Sequence, residues 1–201
     1  MNNKSQSGFT LYELMVTVLI VGVVLAMGIP NLRQFTQNSR MAATANDLHA
    51  AFHVARSEAS RAKQNVTICA SSNSMTAGAD CGGTWDEGFI VFIDIDGNLS
   101  RDAGTEALIR ANPVVADGVT HVVANDATYF MFAATGLGRP DVGGNTAVSQ
   151  IVFCDERGNA NGPGGDSTAR LLVATPLGRA TILREKGMVT DALSNMGKSC
   201  P

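Results

Sequence analysis

The rhythm of apolar and polar positions along this chain changes twice. Residues 9–29 form an almost unbroken apolar run, "FTLYELMVTVLIVGVVLAMGI", with one charge, Glu13. At about 1.5 Å rise per residue, a helix of this length crosses a hydrocarbon layer of about 30 Å. Further on, Met41, Ala45, Leu48, Phe52, Ala55 and Ala59 recur at spacings of three and four, the stripe of a helix that docks on a sheet. The pattern predicts one helix over about residues 10–63, apolar all round in its first half and amphipathic in its second. Pro30 lacks an N–H and its ring crowds the Ala26 carbonyl, and Gly22 and Gly28 weaken the helix nearby. A kink or locally melted turn is expected there.

After Lys63 the period falls to two, or to short apolar runs. Strands are predicted at 65–71, 88–96, 107–112, 120–125, 128–134, 149–156, 169–175 and 179–185. Glycine-rich stretches such as "TGLGRPDVGGN" and "RGNANGPGGDS" separate them and read as loops, without the spacing of a phosphate cradle. Two short "LGR" echoes are the only repeat.

Composition agrees with a β-rich domain. Charged residues make up 16% of the 201, glycine numbers 21, and the formal net charge is -3, which favours no general attraction to nucleic acid. Cys69, Cys81, Cys154 and Cys200 contain no C-x-x-C pair, so a zinc or dithiol redox site is disfavoured. An even count behind a membrane-directing segment points to disulfides in an oxidising compartment. Three pairings are possible; the favoured one closes a short Cys69–Cys81 loop and ties the tail through Cys154–Cys200.

Glu13 discriminates among three readings of the apolar run. A secretory signal would use Lys4 as its basic flank and be cut after Ala26. A plain anchor would stay uncut. The third reading is a segment first anchored in a membrane and later packed into a filament. A carboxylate costs about 2–3 kcal/mol at mid-membrane, and the first two readings gain nothing from it. A cut between Gly8 and Phe9 makes Phe9 a new, positively charged N-terminus. Glu13 can then neutralise that amine, or a neighbouring subunit's, in apolar surroundings. Positive charge is nearly balanced across the run, with Lys4 on one side and Arg33 and Arg40 on the other, so charge alone leaves topology open.

The stretch "GFTLYELMVTVLIVGVVLAMGIP" resembles the class III signal of type IV pilins and type II secretion pseudopilins. The resemblance implies cleavage after Gly8 by a prepilin peptidase, N-methylation of Phe9, assembly roles for Glu13 and Pro30, and a filament cored by these helices. "TWDEGFIVFIDIDGNLSRDAGTEALIRANP", "FAATGLGRP", "IVFCDERGN" and "RLLVATPLGRATI" look like the GspH/FimT-type pseudopilin domain. The implied fold is α+β and pilin-like, a long N-terminal helix packed on an antiparallel two-sheet or twisted β domain. The expected parts are a leader at 1–8, a transmembrane and filament-core helix at 9–29, its amphipathic continuation at 30–63, and a periplasmic β domain at 64–201. The resemblance further implies a minor pilin at or near a pilus tip that helps start assembly, without catalysis or cofactor. Its partners would be the peptidase, other minor and major pilins, and an inner-membrane platform. It would sit in the inner membrane with its C-terminal domain in the periplasm, then in a pilus or pseudopilus. The alternatives are an H-type pseudopilin of type II secretion and a DNA-binding minor pilin for transformation.

Other constellations have bland readings. Asp94, Asp96, Asn98, Ser100 and Asp102 alternate like a calcium loop, but Leu99 and Thr105 replace the required Gly and Glu, which favours a polar hairpin. His49 and His53 lie one helical turn apart with no third metal ligand. Trp85 and Phe89 fit a core better than a binding patch. Arg179, Arg184 and Lys186 are the candidates for DNA. Some FimT-like proteins use a Gly-Arg-x-Arg stretch; here Gly178, Arg179 and Ala180 match, and Thr181 departs from it.

Overall fold

A computed structural model describes residues 8–123 and 126–200. The predicted leader up to position 7, with Lys4, and the end of the predicted strand at 120–125 lie outside the described residues. Helix α1 is Leu11–Ala62. Strands follow as β1 (Val66–Ala70), β2 (Phe89–Ile93), β3 (Leu108–Asn112), β4 (Val119–Val123) and β5 (Tyr129–Phe132). Then come β6 (Gly138–Arg139), β7 (Asp141–Val142), β8 (Asn145–Thr146), β9 (Gln150–Asp155), β10 (Asp166–Ala174) and β11 (Ala180–Glu185). Helix α2 (Lys186–Met196) closes the order. By contacts the chain divides between Ser39 and Arg40 into two units.

In the first unit, α1 begins where Thr10 Oγ1 accepts the Glu13 N–H at 3.3 Å, satisfying one of the donors that a helix start leaves open. Glu13 thus stands in the first turn, where the helix dipole favours negative charge. Every residue from 8 to 36 is exposed, the apolar ones included. Of the two expectations at Pro30, the locally melted turn is absent, because α1 is continuous through it. Proline deletes one backbone bond, whereas the many flanking turns hold cooperatively. Just beyond it, Asn31 Nδ2 donates to the Met27 carbonyl at 2.9 Å.

The second unit packs the rest of α1 on two antiparallel sheets, ordered β3-β2-β1-β5-β6 and β11-β10-β9-β4. All six predicted stripe positions are buried, and Ala51 joins them. Val66 and Ile68 lie opposite Phe132 and Phe130, so these four share the face that meets α1. Phe52 anchors that contact, its ring centroid 5.1 Å from Phe130 and 6.2 Å from Phe132. Central β1 is buried on both faces. Its second face carries Cys69 and Thr67; Cys69 bonds Cys81, and the Thr67 hydroxyl donates to Asp94 at 2.8 Å, so long loops cover it.

The second sheet is also covered twice. Ile151, Phe153 and Leu172 join the main core, whereas Val152, Cys154 and Leu171 pack with Val189, Ala192 and Leu193 of α2. Helix α2 was not foreseen, although Val189, Ala192, Leu193 and Met196 have helical spacing and left-handed Gly197 ends the helix. Nor was the strand pairing inside "TGLGRPDVGGN", where β7 pairs with β8 across Gly143 and Gly144, both at positive φ.

Candidate functional site

The N-terminal stretch is the first candidate. Phe9 is 81% exposed, and Leu11, Leu19, Leu25 and Ile29 are each at least half exposed. A continuous apolar surface of this size on a helix requires lipid or other helices around it. Gly8 and Phe9 precede the helix, so the predicted cleavage position lies in non-helical chain.

The cysteines form two disulfides, Cys69–Cys81 and Cys154–Cys200, spanning 12 and 46 residues. The first fastens a loop over β1 and the second fastens the chain after α2 to β9. Beside the first bond, the Arg101 guanidinium donates to the carbonyls of Ala79 (3.1 Å) and Glu106 (3.2 Å), joining two loops.

The acidic loop is internally occupied. Asp94 is fully buried and accepts the N–H groups of Gly97 (2.7 Å) and Asn98 (3.1 Å). Glu106 accepts those of Ile95 (2.7 Å) and Asp102 (3.0 Å). Oxygens of Asp94, Asp96 and Glu106 lie within 4.8 Å of one another, but these bonds already use Asp94 and Glu106 to hold the turn. Trp85 is buried and its Nε1–H donates to the Ala127 carbonyl at 2.8 Å; Phe89 is buried too.

The histidines are structural contacts. His49 Nε2 lies 3.2 Å from the Ala180 carbonyl and 3.2 Å from His53 Nε2. Partial burial, His49 and nearby Arg56 together hold the His53 imidazole below its usual pKa. His121 was not singled out from sequence. Its ring is nearly buried against Phe153, and Asp86 Oδ1 accepts both its Nδ1–H and its backbone N–H at 2.7 Å. Burial opposes charge on Asp86, yet these two bonds and the pairing hold its carboxyl below the usual value. Trp85, Asp86, His121 and Lys198 line a cavity of about 260 Å³.

The three cations named for DNA do not converge. Arg179 lies in the turn before β11, while Arg184 and Lys186 lie at its far end, about 17 Å away along an extended strand. Arg184 pairs with Asp166 at 3.6 Å, and Lys186 donates to Asn161 at 2.6 Å. Arg170, buried, donates to the carbonyls of Ser167, Thr168 and Ala169 at 3.0–3.2 Å, filling the bulge in β10.

Comparisons with known proteins follow this geometry. A model described as prokaryotic N-terminal methylation motif matches residues 3–29. One described as Type II transport protein GspH matches residues 44–178. A crystal structure of the type IV minor pilin FimU of Pseudomonas aeruginosa is similar at TM-score 0.50 and 21% identity, covering 76% of this chain and 94% of that one. A second FimU crystal form gives TM-score 0.46 and 19% identity over 71% and 91%. No curated protein sequence matches. The first of these structures supports the pilin fold. By the family model that spans most of its length, the chain belongs to the GspH family of minor pilins and pseudopilins.

Proposed function

We propose that the protein is a minor pilin of a type IV pilus, incorporated at or near the filament tip, where it helps initiate assembly. The observation that carries this reading is the bare apolar half of α1, with Glu13 as its single charge between Phe9 and Ile29, joined to a GspH-family domain. In this reading a prepilin peptidase cleaves between Gly8 and Phe9, and Phe9 is N-methylated. The helix first anchors in the inner membrane with the domain in the periplasm. It then packs among other minor and major pilins, driven by an inner-membrane assembly platform. Glu13 sets register by neutralising a Phe9 amine, and Pro30 marks where the helix can yield during packing. The protein acts mechanically, with no catalytic step of its own.

The intact mass of the N-terminal peptide tests this, measured from membranes with and without the peptidase. A methylated start at Phe9, lost without the enzyme, is expected. A start at Met27 or an uncut Met1 overturns it. In a processed protein, Glu13→Ala is expected to leave cleavage intact and reduce recovery in sheared filaments. The family description, Type II transport protein GspH, favours a second reading as an H-type pseudopilin of type II secretion. Deletion of the chain separates the two, abolishing surface pili in one case and protein export in the other.

A further inference from the structure

The second sheet has two edges, and they are not equivalent. The pairing fixes which backbone groups face outward. Ala174 N donates to the Ser149 carbonyl, so Ala174 and Leu172 face β9, while Val173 and Leu171 bond Thr181 and Leu183. The backbone groups of Ala180, Ile182 and Arg184 therefore face away from the sheet. By the same alternation, Val119 and His121 face outward on β4.

On the β4 edge the outward N–H groups of Val119 and His121 are engaged. Val119 N donates to the Ala116 carbonyl at 3.1 Å and His121 N to the Asp86 carboxylate at 2.7 Å. The β11 edge is open beyond its first residue. The Ala180 carbonyl meets His49, but the N–H and C=O of Ile182 and the N–H of Arg184 meet no partner among the described residues. Opposite this edge, four consecutive pairs from Leu171↔Leu183 to Ala174↔Ala180 keep β11 in register up to Leu183, and pairing resumes past the β10 bulge at Asp166↔Glu185. Sheet edges of this kind accept a further strand.

The surroundings of the open edge are cationic. At the Ala180 end stands exposed Arg179, and a Cβ placed on adjacent Gly178 would lie 3.4 Å from Arg56 Nε. Neither guanidinium has a carboxylate within ion-pair distance among the described residues. Leu177, 71% exposed, sits beside them. Arginine beside an uncovered leucine suits a protein segment better than a nucleic-acid backbone, which needs convergent cations.

We propose that the β11 edge is a docking site for an extended, acidic segment of another pilin subunit, which adds as a fifth strand at Ile182 and Arg184 with a carboxylate near Arg56 and Arg179. This deepens, and rests on, the minor-pilin reading.

The test co-expresses the full chain with the pilin subunits of its own system and compares amide exchange in the purified detergent complex with the chain alone. The Ile182 and Arg184 amides are expected to slow about tenfold in the complex. Arg184→Pro removes the outward N–H together with the guanidinium that pairs with Asp166, and is expected to lower subunit recovery about tenfold, whereas Arg184→Gln, which loses that pairing too but keeps the N–H, retains recovery. Arg179→Glu is expected to weaken the complex and flatten its salt dependence. Complexes in which both amides exchange as fast as in the free chain overturn the docking edge and leave the pilin reading standing. A methylated Phe9 with no subunit recovered does the same. An unprocessed chain with no subunit recovered overturns both. Equal protection by duplex DNA without pilins assigns the edge to nucleic acid and overturns the proposal.

Discussion

At the scale of single residues, the strongest arguments come from polar groups whose partners are buried. Asp86 accepts two bonds from the nearly buried His121. Asp86→Ala strands both donors and is expected to cost about 1–3 kcal/mol by chemical denaturation. The pH dependence has a definite sign. The Asp86 carboxyl is lowered in the folded state, so its stabilisation is complete above the unfolded value of about 3.9. It is lost as pH falls through the folded value. Asp86→Asn should therefore flatten the acid limb of a stability-versus-pH curve, and an unchanged limb would refute the assignment. None of this was legible in the sequence, because Asp86 and His121 are 35 residues apart and meet only through the fold. The role of Arg170 was hidden for the same reason. Its guanidinium fills a bulge formed only once β10 pairs with β11. Glu13 was legible, since one charge in an apolar run stands out without any tertiary context, but its backbone bond to Thr10 was not.

At the scale of elements, periodicity did most of the work where the period was long or the residues strongly apolar. The stripe of α1 was readable because seven buried positions share one face over more than four turns. Phe52→Ala in that stripe removes the ring that meets Phe130 and Phe132 and is expected to cost about 3–5 kcal/mol, read as a lowered denaturation midpoint. Helix α2 escaped because it spans 11 residues, lacks a side-chain cap at Glu185 and buries only three of them. Its hold on the sheet comes from a bond between elements. The Cys154–Cys200 bridge closes 46 residues, and its loss is expected to cost about 4 kcal/mol from loop entropy. The 12-residue bridge is worth about 3. Cys200→Ser should therefore lower the melting temperature more than Cys81→Ser does, and the reverse order would count against the entropic account.

At the scale of the whole molecule, the family places the domain and the bare helix in one protein with two kinds of surface. The helix surface is apolar over residues 9–29 except at Glu13 and a few mildly polar positions, whereas the domain surface is mixed. The engaged N–H groups of the β4 edge have a consequence for stoichiometry. A sheet that could be lengthened on both sides would let identical copies join end to end without limit. With the outward N–H groups of β4 engaged by Asp86 and Ala116, two copies meeting through this sheet would join by their β11 sides, and such a pair leaves no open β11 edge. Through this sheet the domain ends a row of strands on the β4 side and can extend one only on the β11 side.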